Sequence, residues 1–301
     1  LLSLNVQPFD AGKKRGRMLV ADARDGLSQL GAALGDWKAD AAWTAQARDL
    51  AAGWVARVTE LTLNTPAAGT LPYDAEVIGA VRESAADIGL DSGASDIVVC
   101  AAGTLPAELH KLWRSSMPGN YHMDYAYSCM GYEVAGGLGA KMARPEREVI
   151  VMVGDGSYMM LNNELATSVM LGRKIIVVLL DNRGYGCIER LQLKSGGASF
   201  NNMLDDCIPE GGVPSAIDFA MNGRSLGAEA VHVKDVAELR REMARARRAT
   251  RSQVLVIDTT HHRTTGDGGA WWEVAIPQVS QRPEVEAAHA RYLDAKKKQF
   301  N

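Results

Sequence analysis

Two runs of β-branched and apolar residues, Val149-Ile150-Val151-Met152-Val153 and Ile175-Ile176-Val177-Val178-Leu179-Leu180, constrain this chain more than any other feature. Neither run alternates polar with apolar residues. Both therefore read as strands buried on two faces, the pattern of a parallel sheet covered by helices on each side. Each ends in turn-forming residues, Gly154-Asp155-Gly156-Ser157 after the first and Asp181-Asn182-Arg183-Gly184 after the second. The segment between them carries Leu161, Leu165 and Val169 at helical spacing and closes near Gly172, which predicts one amphipathic crossover helix. A right-handed strand-helix-strand unit brings the carboxyl ends of both strands to one edge, where ligands of open α/β sheets bind. The two turns converge there.

The residue types at that edge suit a metal-bound phosphate. The Asp155 carboxylate, the Asn182 amide oxygen and a carbonyl near Gly184 are hard oxygen donors, and magnesium takes about six oxygens, several of them from a substrate phosphate. Gly154 and Gly156 carry no Cβ to hold a phosphate away, and a helix opening near Ser157 presents free N–H groups to an anion. Asp-Gly and Asn-x-Gly are ordinary turns when met singly. Their pairing across one strand-helix-strand unit is what points to a magnesium diphosphate site.

Ahead of these turns stand Ser128-Cys129-Met130-Gly131-Tyr132 and the run Gly136–Glu148. Together the motifs resemble the cofactor signature of thiamine-diphosphate-dependent enzymes of the acetolactate synthase and pyruvate decarboxylase group. Ala101–Pro106, Leu112-Trp113, Tyr121-His122, Tyr125–Glu133, Asp181–Ile188 and Trp271-Trp272 narrow the likeness to the branch that hydrolyses alicyclic 1,2-diketones in myo-inositol breakdown. The resemblance implies an α/β fold with a doubly wound, mostly parallel sheet, the pyrophosphate-binding domain of that family. It implies thiamine diphosphate and Mg2+ as cofactors, with Asp155, Asn182 and the Gly184 carbonyl on the metal. Gly103, Thr104, Gly154, Gly156, Ser157 and Tyr185 belong to the cofactor's surroundings. Met130 matches the apolar wedge between the cofactor's two rings, and the Ser128 carbonyl matches the acceptor for its 4′-amino group. Asp181 stands where many relatives carry asparagine, a departure expected to leave Asn182 unaffected.

The implied reaction is carbon–carbon hydrolysis of a cyclic polyol diketone to a deoxy-glucuronate. A carboligase or decarboxylase of the acetolactate synthase type, or a cofactor-binding half without turnover, are the alternatives. In this family the proton route begins at a glutamate on a pyrimidine-binding domain of another subunit, and nothing before residue 73 resembles that domain. A homodimer or homotetramer is therefore expected, and the chain reads as the carboxyl-terminal half of a larger cytoplasmic enzyme. The absence of an initiator methionine agrees with this.

Residues 1–36 read as the end of a Rossmann-like central domain, with Leu1–Val6 a buried strand and Leu27, Leu30 and Leu34 on a helix. Residues 37–72 read as a connecting helix and linker, 73–260 as the cofactor domain and 261–301 as a tail. A net charge of −3 and a pI near 6.1 argue against a nucleic-acid partner, and no apolar run reaches membrane-spanning length. Cys100, Cys129, Cys187 and Cys207 form no Cys-x-x-Cys pair and are expected as reduced, mostly buried thiols. The arginines of Asp235–Arg251 read as a solvated helix face. Lys194–Pro214 is long enough to be a mobile lid. His122, Asp124 and Tyr125 are candidates to face substrate, and Trp271 and Trp272 to close over it. His261 and His262 have no metal-ligand spacing. A second Gly-Asp-Gly at 266–268 follows no apolar strand, so no metal role is expected there.

Overall fold

The structure is a computed structural model that describes residues 2–124, 126–213, 216–269, 271 and 273–298. The chain divides into two units, Leu1–Val55 and Ala56–Asn301. In the first, β1 (Leu2–Asn5) and β2 (Arg17–Val20) form a parallel pair, accompanied by α1 (Phe9–Lys13) and α2 (Ala23–Leu34). Helix α3 (Ala41–Thr62) contains the boundary. The strand expected to be buried is at best half-buried: Ser3 and Leu4 are partly covered, while Leu2 is 56% and the following Val6 60% accessible. Leu4 packs on α2 at Gly26 and Ala11 of α1 is buried, but two strands with two helices are too few to cover both faces of the pair.

The second unit is built on six parallel strands in the order β4-β3-β5-β6-β8-β7. They are β3 (Asp96–Cys100), β4 (Tyr121–Met123), β5 (Glu148–Gly154), β6 (Ile176–Asp181), β7 (Glu229–Val233) and β8 (Gln253–Asp258). The helices between and around them are α4 (Asp74–Ala86), α5 (Ser92–Ser95), α6 (Thr104–Leu112), α7 (Tyr132–Ala143), α8 (Asp155–Met160), α9 (Glu164–Met170), α10 (Gly186–Lys194), α11 (Phe219–Ser225), α12 (Val236–Arg248) and α13 (Pro283–Lys297). Val149, Val151, Val153, Val177, Leu179, Val254 and Val256 share one core with Tyr158, Leu165 and Phe219. Ile150, Met152, Ile176 and Val178, pointing the other way, are equally buried. Both faces of the central strands are covered, as their unbroken apolar runs require.

The chain goes from β3 outward to β4 and then returns to the opposite side of β3 to form β5. The loops after β3 and β5 thus leave the sheet at a topological switch point, which is where an open α/β sheet leaves a crevice. Gly103-Thr104 and Gly154–Ser157 flank that crevice.

Four expectations change. The crossover after β5 is two helices rather than one, with Leu161 ending α8 at 40% exposure while Leu165 is buried. Arg247 is no solvated residue: its guanidinium holds both carboxylate oxygens of Asp96 at 2.8 Å, with the two side chains 2% and 0% exposed. Only Cys100 is buried among the four thiols. The segment after Lys194 is tied down in part, since a short 3-10 turn at Leu204–Cys207 follows a bridge between Gly184 and Met203. No helix among the described residues is long and apolar enough to cross a membrane.

Candidate cofactor site

Strand register places the two turns side by side. Gly154 lies opposite Leu180, so Asp155 and Asp181 leave neighbouring strands together. Asp155 is buried at the start of α8, and its Oδ2 accepts the Gly184 N–H at 2.7 Å, joining the turns directly. Asp181 is also buried, and its Oδ1 accepts the Arg183 N–H at 2.9 Å. The two carboxyl groups lie close together; burial, then the charge of Asp181, pushes the Asp155 pKa well above the ordinary carboxylate range. The substitution at 181 is therefore not a bystander, because it places a second carboxyl group against Asp155.

Asn182 Oδ1 is buried without a hydrogen-bond partner, and so is Thr259 Oγ1 just beyond β8. Thr259 N–H donates to the Asp181 carbonyl at 2.8 Å, so both orphaned oxygens belong to the edge shared by β6 and β8. Buried polar atoms are rarely left unpaired, and an oxygen that is calls for a ligand. Among the described residues no three His, Cys, Asp or Glu side chains gather around one point. The Asp155 carboxylate, the Asn182 amide oxygen and the Gly184 carbonyl would form a donor set that fits a hard divalent ion.

Gly184 has φ 143°, and a Cβ there would meet the Asn202 carbonyl oxygen at 2.5 Å. Tyr185 N–H donates to Asn202 and Leu204 N–H to the Arg183 carbonyl, which leaves the Gly184 carbonyl outside those two bonds. Gly103, with φ 101°, caps α6 and has open space where a side chain would begin. Gly154 is equally open. Gly156 is not: the Tyr185 ring lies 2.6 Å from where its Cβ would be, so the missing side chain there admits an aromatic ring.

Ser157 turns its hydroxyl inward, donating to Glu133 at 2.7 Å and accepting the Gly131 N–H at 2.9 Å. Its hydroxyl is thus committed within the protein, not free for a ligand. Thr104 Oγ1 accepts from Arg190 Nη2, and Arg190 Nη1 donates to the His261 carbonyl at 2.7 Å. Ser128 is exposed in a left-handed conformation, φ 54°, and half-buried Met130 leads to Gly131, φ 91°, which caps α7. A left-handed non-glycine residue costs about 1–2 kcal/mol, which the surrounding loop must over-determine. Asp124 helps, accepting the Cys129 N–H at 3.0 Å.

His122 sits on edge strand β4 with its ring nitrogen on the Gly119 carbonyl at 2.9 Å. Tyr125 and Trp272 lie outside the described residues, and Trp271 is 47% exposed. Asp267 of the second Gly-Asp-Gly pairs with Arg57 at 2.9 Å. Sequence reasoning missed Glu133, Arg190 and His261. Glu133 was visible within the 125–133 block; Arg190 and His261 join the site only through tertiary contacts, with no spacing to reveal them.

The family described as "Thiamine pyrophosphate enzyme, C-terminal TPP binding domain" matches residues 101–259, from the end of β3 to just past β8. The chain belongs to that family. It is 35% identical over 314 aligned positions to 3D-(3,5/4)-trihydroxycyclohexane-1,2-dione hydrolase of Bacillus cereus strain AH820, covering 96% of this chain and 48% of that protein. The like-named protein of Geobacillus thermodenitrificans strain NG80-2 is 33% identical over 306 positions, with the same coverage. The chain thus spans about half the length of the curated relatives it matches. The thiamine diphosphate-dependent 4-hydroxybenzoylformate decarboxylase of Rhodococcus jostii RHA1 shares the fold, with a TM-score of 0.65 over 86% of this chain and 44% of its own, at 18% identity.

Proposed function

We propose that this chain binds thiamine diphosphate with Mg2+ at the carboxyl edge of β3, β5 and β6, and that the complete protein uses it to hydrolyse a cyclic polyol 1,2-diketone of the trihydroxycyclohexanedione type. The observation that carries the reading is the buried, unpartnered Asn182 Oδ1 beside Asp155 at the ends of adjacent strands. Asp155, Asn182 and the Gly184 carbonyl hold the metal. Gly103, Thr104, Gly154, Gly156 and the Ser157 backbone surround the diphosphate, with Tyr185 covering Gly156. The Met130 side chain wedges between the cofactor rings, and the Ser128 carbonyl accepts from the 4′-amino group. The family match supports the cofactor and the relatives' names support the reaction class; the residue roles follow from the motif resemblance.

When bound, thiamine diphosphate supplies an electron sink for carbanion character next to a carbonyl. The net reaction consumes one water and breaks the bond between the two carbonyl carbons. One of them becomes a carboxylic acid, and the other takes a proton and becomes an aldehyde, which gives the deoxy-glucuronate. Residues 73–260 form the pyrophosphate-binding domain in this reading, 1–36 the end of a central domain, 37–72 the connection and 261–301 a tail. The proton-relaying glutamate lies on a pyrimidine-binding domain of another subunit, so the active assembly is at least a homodimer.

Calorimetric titration of the full-length protein with thiamine diphosphate, with and without Mg2+, tests the cofactor site. Tight binding only with the metal is expected, and no binding in its presence sinks the proposal. Ring opening of the cyclic diketone, compared with pyruvate turnover, separates the hydrolase from a carboligase or decarboxylase.

A further inference from the structure

We propose that Glu133 is a positioning residue that locks three separate cofactor loops into one unit before the cofactor arrives. The inference rests on the thiamine diphosphate reading above, and it concerns a residue which that reading leaves without a role. Glu133 is 1% exposed in the first turn of α7. Its Oε2 accepts the Gly131 N–H at 3.0 Å, and the Ser157 hydroxyl donates across both oxygens at 2.7 and 2.9 Å. The Ala102 backbone amide also faces this carboxylate and favours its charged form. These partners come from the loop after β3, the segment before α7 and the turn after β5, which are far apart in sequence. A carboxylate that merely capped α7 would bond its own first turn and stop there; this one reaches two other segments.

An apolar residue would fill the same volume without the cost of burying a carboxylate, which is repaid only when several donors converge on it. Burial does raise the Glu133 pKa, and Ser157, then the backbone amides of Glu133 itself, Gly131 and Ala102, oppose that rise. The convergence fixes Gly131, and through it the Ser128 carbonyl and Met130 side chain, relative to Gly103-Thr104 on one side and Asp155–Ser157 on the other. A cofactor gripped at its diphosphate end and wedged at its ring end needs that spacing set in advance.

The test compares Glu133→Ala, Glu133→Gln and Ser157→Ala in the full-length protein. Hydrogen exchange of peptides covering 100–104 and 128–132 is measured without cofactor, and thiamine diphosphate is titrated at saturating Mg2+. Glu133→Ala is expected to speed exchange in both peptides and to weaken cofactor binding at least ~10-fold. Ser157→Ala, which removes the hydroxyl's bonds to Glu133 and Gly131 but leaves the carboxylate and its other donors, moves both readouts the same way by less. Glu133→Gln restores part of each, since one of its two ends still accepts. Cofactor affinity within about twofold of wild type in all three variants, or unchanged exchange in both peptides, overturns the proposal. Should Glu133→Ala not fold, the other two variants decide. Should the wild-type protein fail to bind thiamine diphosphate, the functional reading falls while the exchange measurements still judge the clamp.

Discussion

Replacing Asn182 with leucine should make the cofactor-free protein more stable and the cofactor-loaded protein less so. Leucine matches asparagine in shape but has no oxygen to leave unpaired. Asn182 Oδ1 is buried with no partner, and such an atom costs about 1–3 kcal/mol in lost hydration. For a residue that is only half-buried overall, the lower end of that range applies, which makes the gain ~1 kcal/mol. In a unit of roughly 150–250 residues that raises the unfolding temperature by about 2–4 °C. The wild-type protein, by contrast, gains about 2.7 kcal/mol when thiamine diphosphate and Mg2+ are present at a hundred times the dissociation constant. The leucine variant gains nothing. Scanning calorimetry of the full-length protein with and without both ligands reads the two opposed changes in one experiment. Asn182→Asp is the control: it keeps an oxygen ligand but adds a third carboxyl group near Asp155 and Asp181, so it lowers cofactor-free stability and retains the ligand-induced shift. A leucine variant that is destabilised without ligand, or that still responds to cofactor and metal together, refutes the reasoning.

Asp74, held up at about 7 by burial and then by the nearby Glu108 charge, takes its proton more tightly folded than unfolded. Its contribution to stability is therefore complete below the ordinary value of 3.8 and lost as pH rises through 7, so Asp74→Asn should gain on wild type between pH 5 and pH 8 in urea unfolding, and an equal difference at both pH values counts against it. Gly184→Ala forces a side chain at φ 143° into the Asn202 carbonyl; a loss of at least ~2 kcal/mol and faster amide exchange at 185 and 204 are expected. Arg247→Ala strands the buried Asp96 carboxylate and should lower stability by about 3–5 kcal/mol, while cofactor affinity per folded molecule stays the same.

Sequence reasoning located β5 and β6 because strands buried on both faces leave an unbroken apolar run, and it placed Asp155 next to the 181–184 turn because parallel register follows from that. It misjudged the crossover for a tertiary reason. Leu161 has the right spacing for a single helix, yet Gly131 packs where its missing Cβ would sit 3.1 Å from the Leu161 Cβ, and Asn162 donates to Asn222 at 3.3 Å. Those contacts end α8 and start α9 afresh. The buried Arg247 was legible in principle, being four residues after Met243 on the face that also carries Leu239. A run of arginines obscured it. Glu133 lay within a recognised block, but its partners at 102 and 157 come from other loops, so its role depends on topology that no local pattern encodes.

The two ends of the sheet treat polarity differently, and that difference argues for a ligand edge. At the amino ends Asp96 has both oxygens matched by Arg247, and Glu148, although one oxygen is unpaired, has Lys174 at 2.8 Å. At the carboxyl ends Asp155 and Asp181 crowd each other, Asn182 and Thr259 keep orphaned oxygens, and Ser128 and Arg183 hold left-handed backbones at φ 54° and 67°. A sequence selected for stability alone would remove such conflicts one by one, since each costs on the order of 1–3 kcal/mol and several have simple replacements. Trp113 Nε1, Glu148 Oε1 and Thr265 Oγ1 are single unpaired atoms elsewhere; a carboxyl pair, two orphaned oxygens and two left-handed residues gathered on the loops at the carboxyl ends is what a site kept for a charged, oxygen-coordinated ligand produces.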